Sequence, residues 1–497
     1  MFTFTVEIQT LLGRHLVSPF SLSVAKGDKI ALIGEEGNGK SVYLKSLVDT
    51  ELLKDLNIKR QMSDPNIVFS YVSQEITKYD LRLSVLDYCI EEDWELYADF
   101  VREINTSLGA IDTDRPVESF SGGERVKIQL VKARLTQADC YILDEPSNDL
   151  DLESLEYLEQ WMNDIQEPIL FVSHDERLIQ NVATRVTHFE QTHRKTRSLI
   201  TVYNGTYDAY VSSRQAGIEK QHAEFDNQKR VKRKQELRWQ QLYQNVNNSL
   251  RNTKGNEPEK GRLLAKKMKS VKSMKKRIDK EIIEDKRDVE ESISIHFDAQ
   301  ERITNKRLFE FNLDELLIGD KVLGHNYHLE LFAQDKIALV GRNGSGKTSF
   351  LNELQNSLTL EYGMMHQDYR KNLDFESSAI ENLVIEGSVD ELNRIMLRLG
   401  SLKFKESEMN APVKHLSGGQ KAKISLLKLV LQNPPLILLD EPTRNLSPLS
   451  VGKIYEMLNG YQGAIFCITH DRNLIDSVFS DVLVFTDDGF LSLGGVQ

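Results

Sequence analysis

The sequence predicts an α/β protein of two related domains, each a mostly parallel sheet with helices on both faces, joined by a basic antiparallel helical hairpin. Three observations predict it. A set of short segments occurs twice in the same order. An apolar run of strand length leads into most of them. One internal stretch is strongly basic in a chain whose formal net charge is -12.

The repeat comes first because it fixes the domain plan. GEEGNGKS at 34–41 returns as GRNGSGKT at 341–348, and SGGER at 121–125 returns as SGGQK at 417–421. YILDEP at 141–146 returns as LILLDEP at 436–442, and VSHD at 172–175 as ITHD at 468–471. The last three pairs are offset by 296 positions, but Lys40 and Lys347 by 307. The first copy therefore holds extra residues, which the shorter Lys-to-Gln spacing of the second copy places near DTELLKDLNIKRQMSDP, read as a polar surface insertion. The runs KIALIG and KIALVG precede the Gly-rich loops, and SVYLKSLVD and TSFLNELQN follow them with helical patterns. Further apolar runs lead into each Asp-Glu-Pro and each His. Short buried strands alternating with helices give a parallel sheet covered on both faces.

With 497 residues, the chain has length for about two to four domains. A composition 40% apolar and 28% charged is that of a soluble globular protein. No run approaches the roughly 18 apolar residues that a membrane span needs, and the first residues show no secretory signal. A cytoplasmic location is the expectation. Cys89, Cys140 and Cys467 lack metal-ligand spacing and read as buried free thiols.

The pattern G-x-x-x-x-G-K-[ST] needs glycines so that the backbone can wrap phosphates and point N–H groups at them. Gly34, Gly37, Gly39, Lys40 and Ser41 supply it once; Gly341, Gly344, Gly346, Lys347 and Thr348 supply it again. The lysines suit the β and γ phosphates, and Ser41 and Thr348 suit Mg2+. A strand ending in Asp144-Glu145 or Asp440-Glu441 delivers two carboxylates to the ligand-binding edge of the sheet. Each Asp suits a metal shell; each Glu suits orienting or deprotonating a water. Gln74 and Gln367, each after a short strand, could sense the terminal phosphate or its metal. His174 and His470 stand just past apolar strands. Ser121-Gly122-Gly123 and Ser417-Gly418-Gly419 each open a helix, which makes a second phosphate-binding terminus. One domain cannot aim both elements at one phosphate, so two domains facing head to tail would hold ATP between them.

These residues resemble the ATP-binding cassette superfamily, with Walker A, Q-loop, signature, Walker B with its catalytic Glu, and His switch present in both halves. The resemblance implies two P-loop ATP-binding cassette domains joined by a basic antiparallel α-helical hairpin linker: cassettes at 1–205 and 293–497, linker at 206–292. It implies ATP and Mg2+ as cofactors, with Ser41, Gln74 and Asp144, and Thr348, Gln367 and Asp440, toward the metal. Glu145, Glu441, His174 and His470 become the catalytic set. Site one, built on Lys40, would be closed by Ser417, Gly418 and Gly419; site two, built on Lys347, by Ser121, Gly122 and Gly123. The expected state is a monomer with an intramolecular cassette pair.

Residues 214–280 hold 20 Lys or Arg against seven Asp or Glu, a net of +13 that leaves -25 for the rest. Such segregation suits a polyanion-binding element on an acidic body. Ile218, Phe225, Trp239, Leu242 and Val246, then Leu264, Met268, Val271, Ile278 and Ile282, recur mostly at seven-residue spacings on either side of NTKGNEPEKG. This predicts two helices packed as a hairpin, the first of about 35 residues and about 50 Å. The preceding VYNGTYDAYVSSR and the basic GRLLAKKMKSVKSMKKRID resemble the linker of ABC-F proteins, tandem cassettes without a membrane part. That resemblance implies a ribosome partner, with the hairpin reaching ribosomal RNA and peptidyl-tRNA near the exit site and peptidyl transferase centre. Its two subtypes are antibiotic resistance by ribosome protection and regulation of translation on stalled ribosomes. A transporter's nucleotide-binding subunit and a DNA-associated ABC ATPase are the alternative classes.

Four departures from the family pattern stand out. Leu12 and Ile318 occupy the places of the base-stacking aromatic. Glu35 and Glu36 replace Arg342 and Asn343 in the first P-loop, and Ser447 replaces Asp151 in the second Asp-Glu-Pro segment. The two sites are therefore expected to be unequal. The insertion after the first P-loop is also far shorter than the arm some members carry there.

Overall fold

The computed structural model describes residues 1–11, 13, 15–49, 53–148, 150–191, 197–252, 258–280, 297, 306–319 and 321–492. Leu12, Ile282, the expected boundary at 292–293 and the residues joining the hairpin helices lie outside them. The chain forms two compact units. One joins Met1–Asp208 to Glu290–Gln497; the other is Ala209–Val289.

The larger unit contains two copies of one architecture. In the first half the strands are β1 (Phe2–Thr10), β2 (His15–Val24), β3 (Lys29–Ile33), β4 (Leu56–Met62), β5 (Phe69–Val72), β6 (Cys140–Asp144), β7 (Ile169–Val172), β8 (Arg185–Gln191) and β9 (Arg197–Asn204). In the second half they are β10 (Arg307–Ile318), β11 (Lys321–Phe332), β12 (Lys336–Val340), β13 (Tyr362–Met365), β14 (Leu436–Asp440), β15 (Ala464–Ile468), β16 (Asp481–Thr486) and β17 (Gly489–Ser492). The main sheets run in the orders β5-β6-β7-β3-β8-β9 and β13-β14-β15-β12-β16-β17. Only the final pair of each is antiparallel. The central strands β3, β6, β14 and β15 are buried at every residue, as expected of strands covered on both faces.

The insertion in the first half proves to be more than a surface loop. Its residues Leu56–Met62 form β4, which pairs antiparallel with β1 from Phe4↔Met62 to Thr10↔Leu56. The order β2-β1-β4 thus gives the first half a three-stranded second sheet, whereas β10 and β11 form a two-stranded one. Leu56, Ile58 and Met62 are the less exposed positions of β4 and pack against the core around Phe4, Val6 and Tyr43. All three cysteines are free and buried, as the sequence predicts.

In the smaller unit, the helix Tyr207–Asn252, whose first two residues still belong to the larger unit, is followed by Pro258–Lys280. The first helix has 46 residues rather than about 35, because no Pro or paired Gly interrupts the run from Tyr207 onward. At about 1.5 Å per residue it is about 69 Å long. The two helices touch where the Trp239 indole N–H donates to the Val271 carbonyl at 3.0 Å. Lys275 lies 5.3 Å from the centre of the same ring and 3.9 Å from Glu236. Val246, Val271 and Ile278 are buried, while Lys229, Arg230, Arg233, Lys266, Lys269 and Lys276 are exposed. Among the described residues no helix is long and apolar enough to cross a membrane.

Candidate functional site

The first Gly-rich loop connects β3 to the helix Lys40–Val48 and turns on Gly34, Gly37 and Gly39, all at positive φ. Gly34 is obligatory: a Cβ there would lie 2.2 Å from the Phe189 carbonyl oxygen. Lys40 is buried and its ammonium donates back to the Gly34 and Glu35 carbonyls at 2.6 and 3.0 Å. The Ser41 hydroxyl donates to Asp144 at 2.7 Å, and Tyr71 donates to its other oxygen at 2.9 Å. Burial raises the Asp144 pKa against both hydrogen bonds.

Glu145 follows at φ 53°, a left-handed conformation that ends β6 and turns the carboxylate toward β7. It lies 3.1 Å from His174 Nε2 and accepts the His174 backbone N–H at 3.1 Å. Burial pushes its pKa up, but the neighbouring imidazole outweighs this and holds it below the usual carboxylate value. His174 Nδ1 donates to the Leu446 carbonyl of the second half at 2.6 Å. Both its ring nitrogens therefore face oxygen atoms. Gln74 is exposed.

The second loop repeats the backbone. Gly341, Gly344 and Gly346 have positive φ, and Lys347 donates to the Gly341 and Arg342 carbonyls at 2.7 and 2.8 Å. Thr348 donates to Asp440 at 3.1 Å. Glu441 has φ 52°, but its carboxylate is 3.9 Å from His470 Nε2. Burial and then Asp440 push the Glu441 pKa up to about 8, while burial and Lys347 push His470 down to about 4. His470 Nδ1 is buried with no hydrogen-bond partner among the described residues.

The glycine-opened helices face the opposite half. Ser417 and Gln420 form a reciprocal cap on Gly418–Gln432, as Ser121 and Glu124 do on Gly122–Leu135. Gly122 joins Lys347, Thr348, Gln367, Asp440, Glu441 and His470 around a cavity of about 510 Å³. Ile318 lines it too. At the other site, Gly419 N–H donates to Glu36 at 2.8 Å and Lys423 pairs with Glu35 at 2.7 Å. The crevice left among these groups is about 20 Å³.

Motif reading did not find three participants, Tyr71, Leu446 and Lys423. Tyr71 binds Asp144, and the Leu446 carbonyl receives His174. Lys423 holds Glu35, while Asp151, already marked in the sequence by its contrast with Ser447, accepts the Asn343 N–H at 3.4 Å. Of the three missed residues, Tyr71 alone had a local signal, standing three residues before Gln74. The hydroxyl-carboxylate pairs Ser41–Asp144 and Thr348–Asp440, with the Gln367 amide on the same cavity, are oxygen donor sets that suit a small hard cation.

Fold and motif pairing together define a tandem-cassette protein of the P-loop class. The family model described as ABC transporter matches residues 17–148 and 325–444. The chain belongs to the ATP-binding cassette family, in its ABC-F group, and is an ATPase. It is 28% identical to the ATP-binding protein Uup of Haemophilus influenzae, over 96% of this chain and 77% of that protein. It is 27% identical to the ribosome protection protein VmlR of Bacillus subtilis, over 98% and 86% of the two chains. Among solved structures, archaeal ribosome recycling factor aABCE1, in complex with a ribosomal stalk protein, shares the fold with a TM-score of 0.59. That likeness spans 95% of this chain and 87% of the other at 17% identity.

Proposed function

We propose that this chain is a ribosome-binding ATPase that holds two ATP molecules between its cassettes and uses the basic hairpin near the exit site and peptidyl transferase centre. In each site the P-loop N–H groups and Lys40 or Lys347 bind phosphates. Ser41 with Asp144, and Thr348 with Asp440, would hold Mg2+, with Gln74 and Gln367 toward the same ion. The cation would neutralise phosphate charge. Glu145 or Glu441 orients a water and takes its proton as the water oxygen attacks the terminal phosphorus and the bond to ADP breaks. His174 and His470 position these carboxylates. Ser121, Gly122, Gly123 and Ser417, Gly418, Gly419 close the sites from the opposite half.

The observation that carries the ribosomal reading is the hairpin: a +13 segment in which most of the described lysines and arginines are exposed, inside a chain of net charge -12. The similarity to VmlR over nearly the whole chain favours ribosome protection, and so antibiotic resistance, over regulation of stalled ribosomes. The test is the double variant Glu145→Gln, Glu441→Gln, sedimented with ribosomes with and without ATP. ATP-dependent trapping on ribosomes is expected. Binding of ATP without trapping would turn the hairpin toward another partner, with membranes of a transporter and DNA as the comparison samples.

A further inference from the structure

The two P-loops differ most at the residues that face the other half. Glu35 and Glu36 stand where the second loop has Arg342 and Asn343. At site one both acidic side chains cross the interface. Glu36 accepts the Gly419 N–H at 2.8 Å, and a Cβ on Gly418 would lie 3.1 Å from the same oxygen. The carboxylate thus sits over the first turn of the Gly418–Gln432 helix, where unsatisfied N–H groups and the helix dipole attract an anion. Glu35 is held beside it by Lys423, whose side chain is only 8% exposed.

The opposite site reverses this chemistry. There the P-loop residue Asn343 donates its N–H to Asp151, at 3.4 Å. Ser447 takes the place of Asp151 in the second half and donates its hydroxyl to Ser450 within its own helix. Each interface therefore keeps a carboxylate between P-loop and facing loop, but at site one it has moved onto the P-loop. The Gly122–Leu135 helix keeps its first turn on an open cavity of about 510 Å³. The helix at site one already has its anion.

We propose that Glu36 stands in for the terminal phosphate of a nucleotide at site one, so that this site takes a nucleoside diphosphate as readily as a triphosphate. A third phosphate reaching the Gly418–Gln432 helix meets Glu36 there, with like charge, and must displace it. The inner phosphates, by contrast, are bound by Lys40 and the loop backbone, which Glu36 does not occupy. This rests on the reading of both P-loops as nucleotide sites.

The test titrates the full chain with ADP and with AMP-PNP, both with Mg2+, by calorimetry. Lys347→Ala leaves site one to be read, and Lys40→Ala leaves site two. The expected ratio of dissociation constants is within about threefold at site one, against a preference for AMP-PNP of about tenfold or more at site two. Adding Glu36→Asn to the Lys347→Ala chain should bring site one to the site-two preference. Glu36→Gln, which keeps the side-chain volume, should do the same and replaces the Asn variant if circular dichroism shows that one unfolded. A roughly tenfold preference for AMP-PNP in Lys347→Ala, or a ratio unmoved by loss of the Glu36 charge, overturns the proposal. So does binding at site two with none at site one. Failure of the unsubstituted chain to bind either nucleotide overturns the underlying nucleotide reading instead.

Discussion

Arg472→Met should loosen the two cassettes more than any exposed change at their boundary. Arg472 opens the last helix of the second half and reaches Glu159 and Asp175 of the first, the latter at 3.5 Å. The three side chains are 12, 14 and 17% exposed. Burial already raises the Asp175 pKa, with Arg472 opposing it. Removing one partner of a buried pair strands the other charge, at a cost of about 3–5 kcal/mol. The same boundary supplies a control. Arg177 meets Asp476 at 2.9 Å with both side chains 40% or more exposed, and a pair of that kind contributes at most about 1 kcal/mol. Calorimetric melting at neutral pH should therefore show a loss for Arg472→Met several times that for Arg177→Met. Adding Glu159→Gln should recover part of it, since fewer unpaired charges remain. Equal losses in the two single variants would refute the argument from burial.

Glu176 carries a pH signature. Burial pushes its pKa up to about 7, against a hydrogen bond from Asn473. An acid raised in the fold favours folding most below its unfolded pKa, and that contribution is lost as pH rises through the folded one. Glu176→Gln should therefore stabilise the protein by up to about 3 kcal/mol at pH 8 and by about 1 kcal/mol at pH 5, measured as melting against pH. In the hairpin, Trp239→Phe removes the indole N–H bonded to Val271 and should cost about 1–2 kcal/mol, read as faster amide exchange in Pro258–Lys280. Gly419→Ala should cost more stability than Gly123→Ala, by about 1–3 kcal/mol. Its Cβ meets the backbone oxygen of Asn445 at 2.7 Å, whereas the nearest atom to a Cβ on Gly123 is the rotatable Ser154 hydroxyl. Calorimetric melting of the two variants would compare the losses.

The repeated motifs were legible because each rests on local chemistry. Four-residue apolar runs ending in Asp-Glu, found twice in the same order, read as buried strands with carboxylates at their ends, and β6 and β14 are that. The fold class followed from their order. The insertion after the first P-loop is polar in composition, yet period rather than polarity sets its structure, and it holds a strand. Leu56, Ile58 and Met62 fall on one period-2 face, interrupted by Arg60, and that partial alternation is the signal for β4. The hairpin's first helix exceeds the expected length because helix-compatible sequence begins at Tyr207, ahead of the basic residues. What no local pattern carries is pairing between the halves. Glu36 and Gly419 are 383 positions apart, and His174 and Leu446 are 272 apart. The sequence places two carboxylates in the first P-loop without saying what they face. Burial of Lys423 behind Glu35 settles that, and only the folded chain brings them together.

The departures from internal symmetry are also what decides which half pairs with which. Suppose the second half met a second copy of itself. Arg342 would then face Lys423, two cations where Glu35 now provides a partner. Suppose instead the first half met its own copy. Glu36 would face the loop of Asp151, setting a carboxylate against the carboxylate that now accepts from Asn343. Both like-with-like arrangements place equal charges at the closest approach of P-loop and facing helix, where such contacts are costly. In the pairing within one chain each charge meets its complement: Glu35 with Lys423, Glu36 with the Gly419 N–H, Asp151 with the Asn343 N–H. The substitutions at 35, 36 and 447 thus act as one set. Each alone would weaken an interface; together they favour the contact between the two halves over contact with a second molecule.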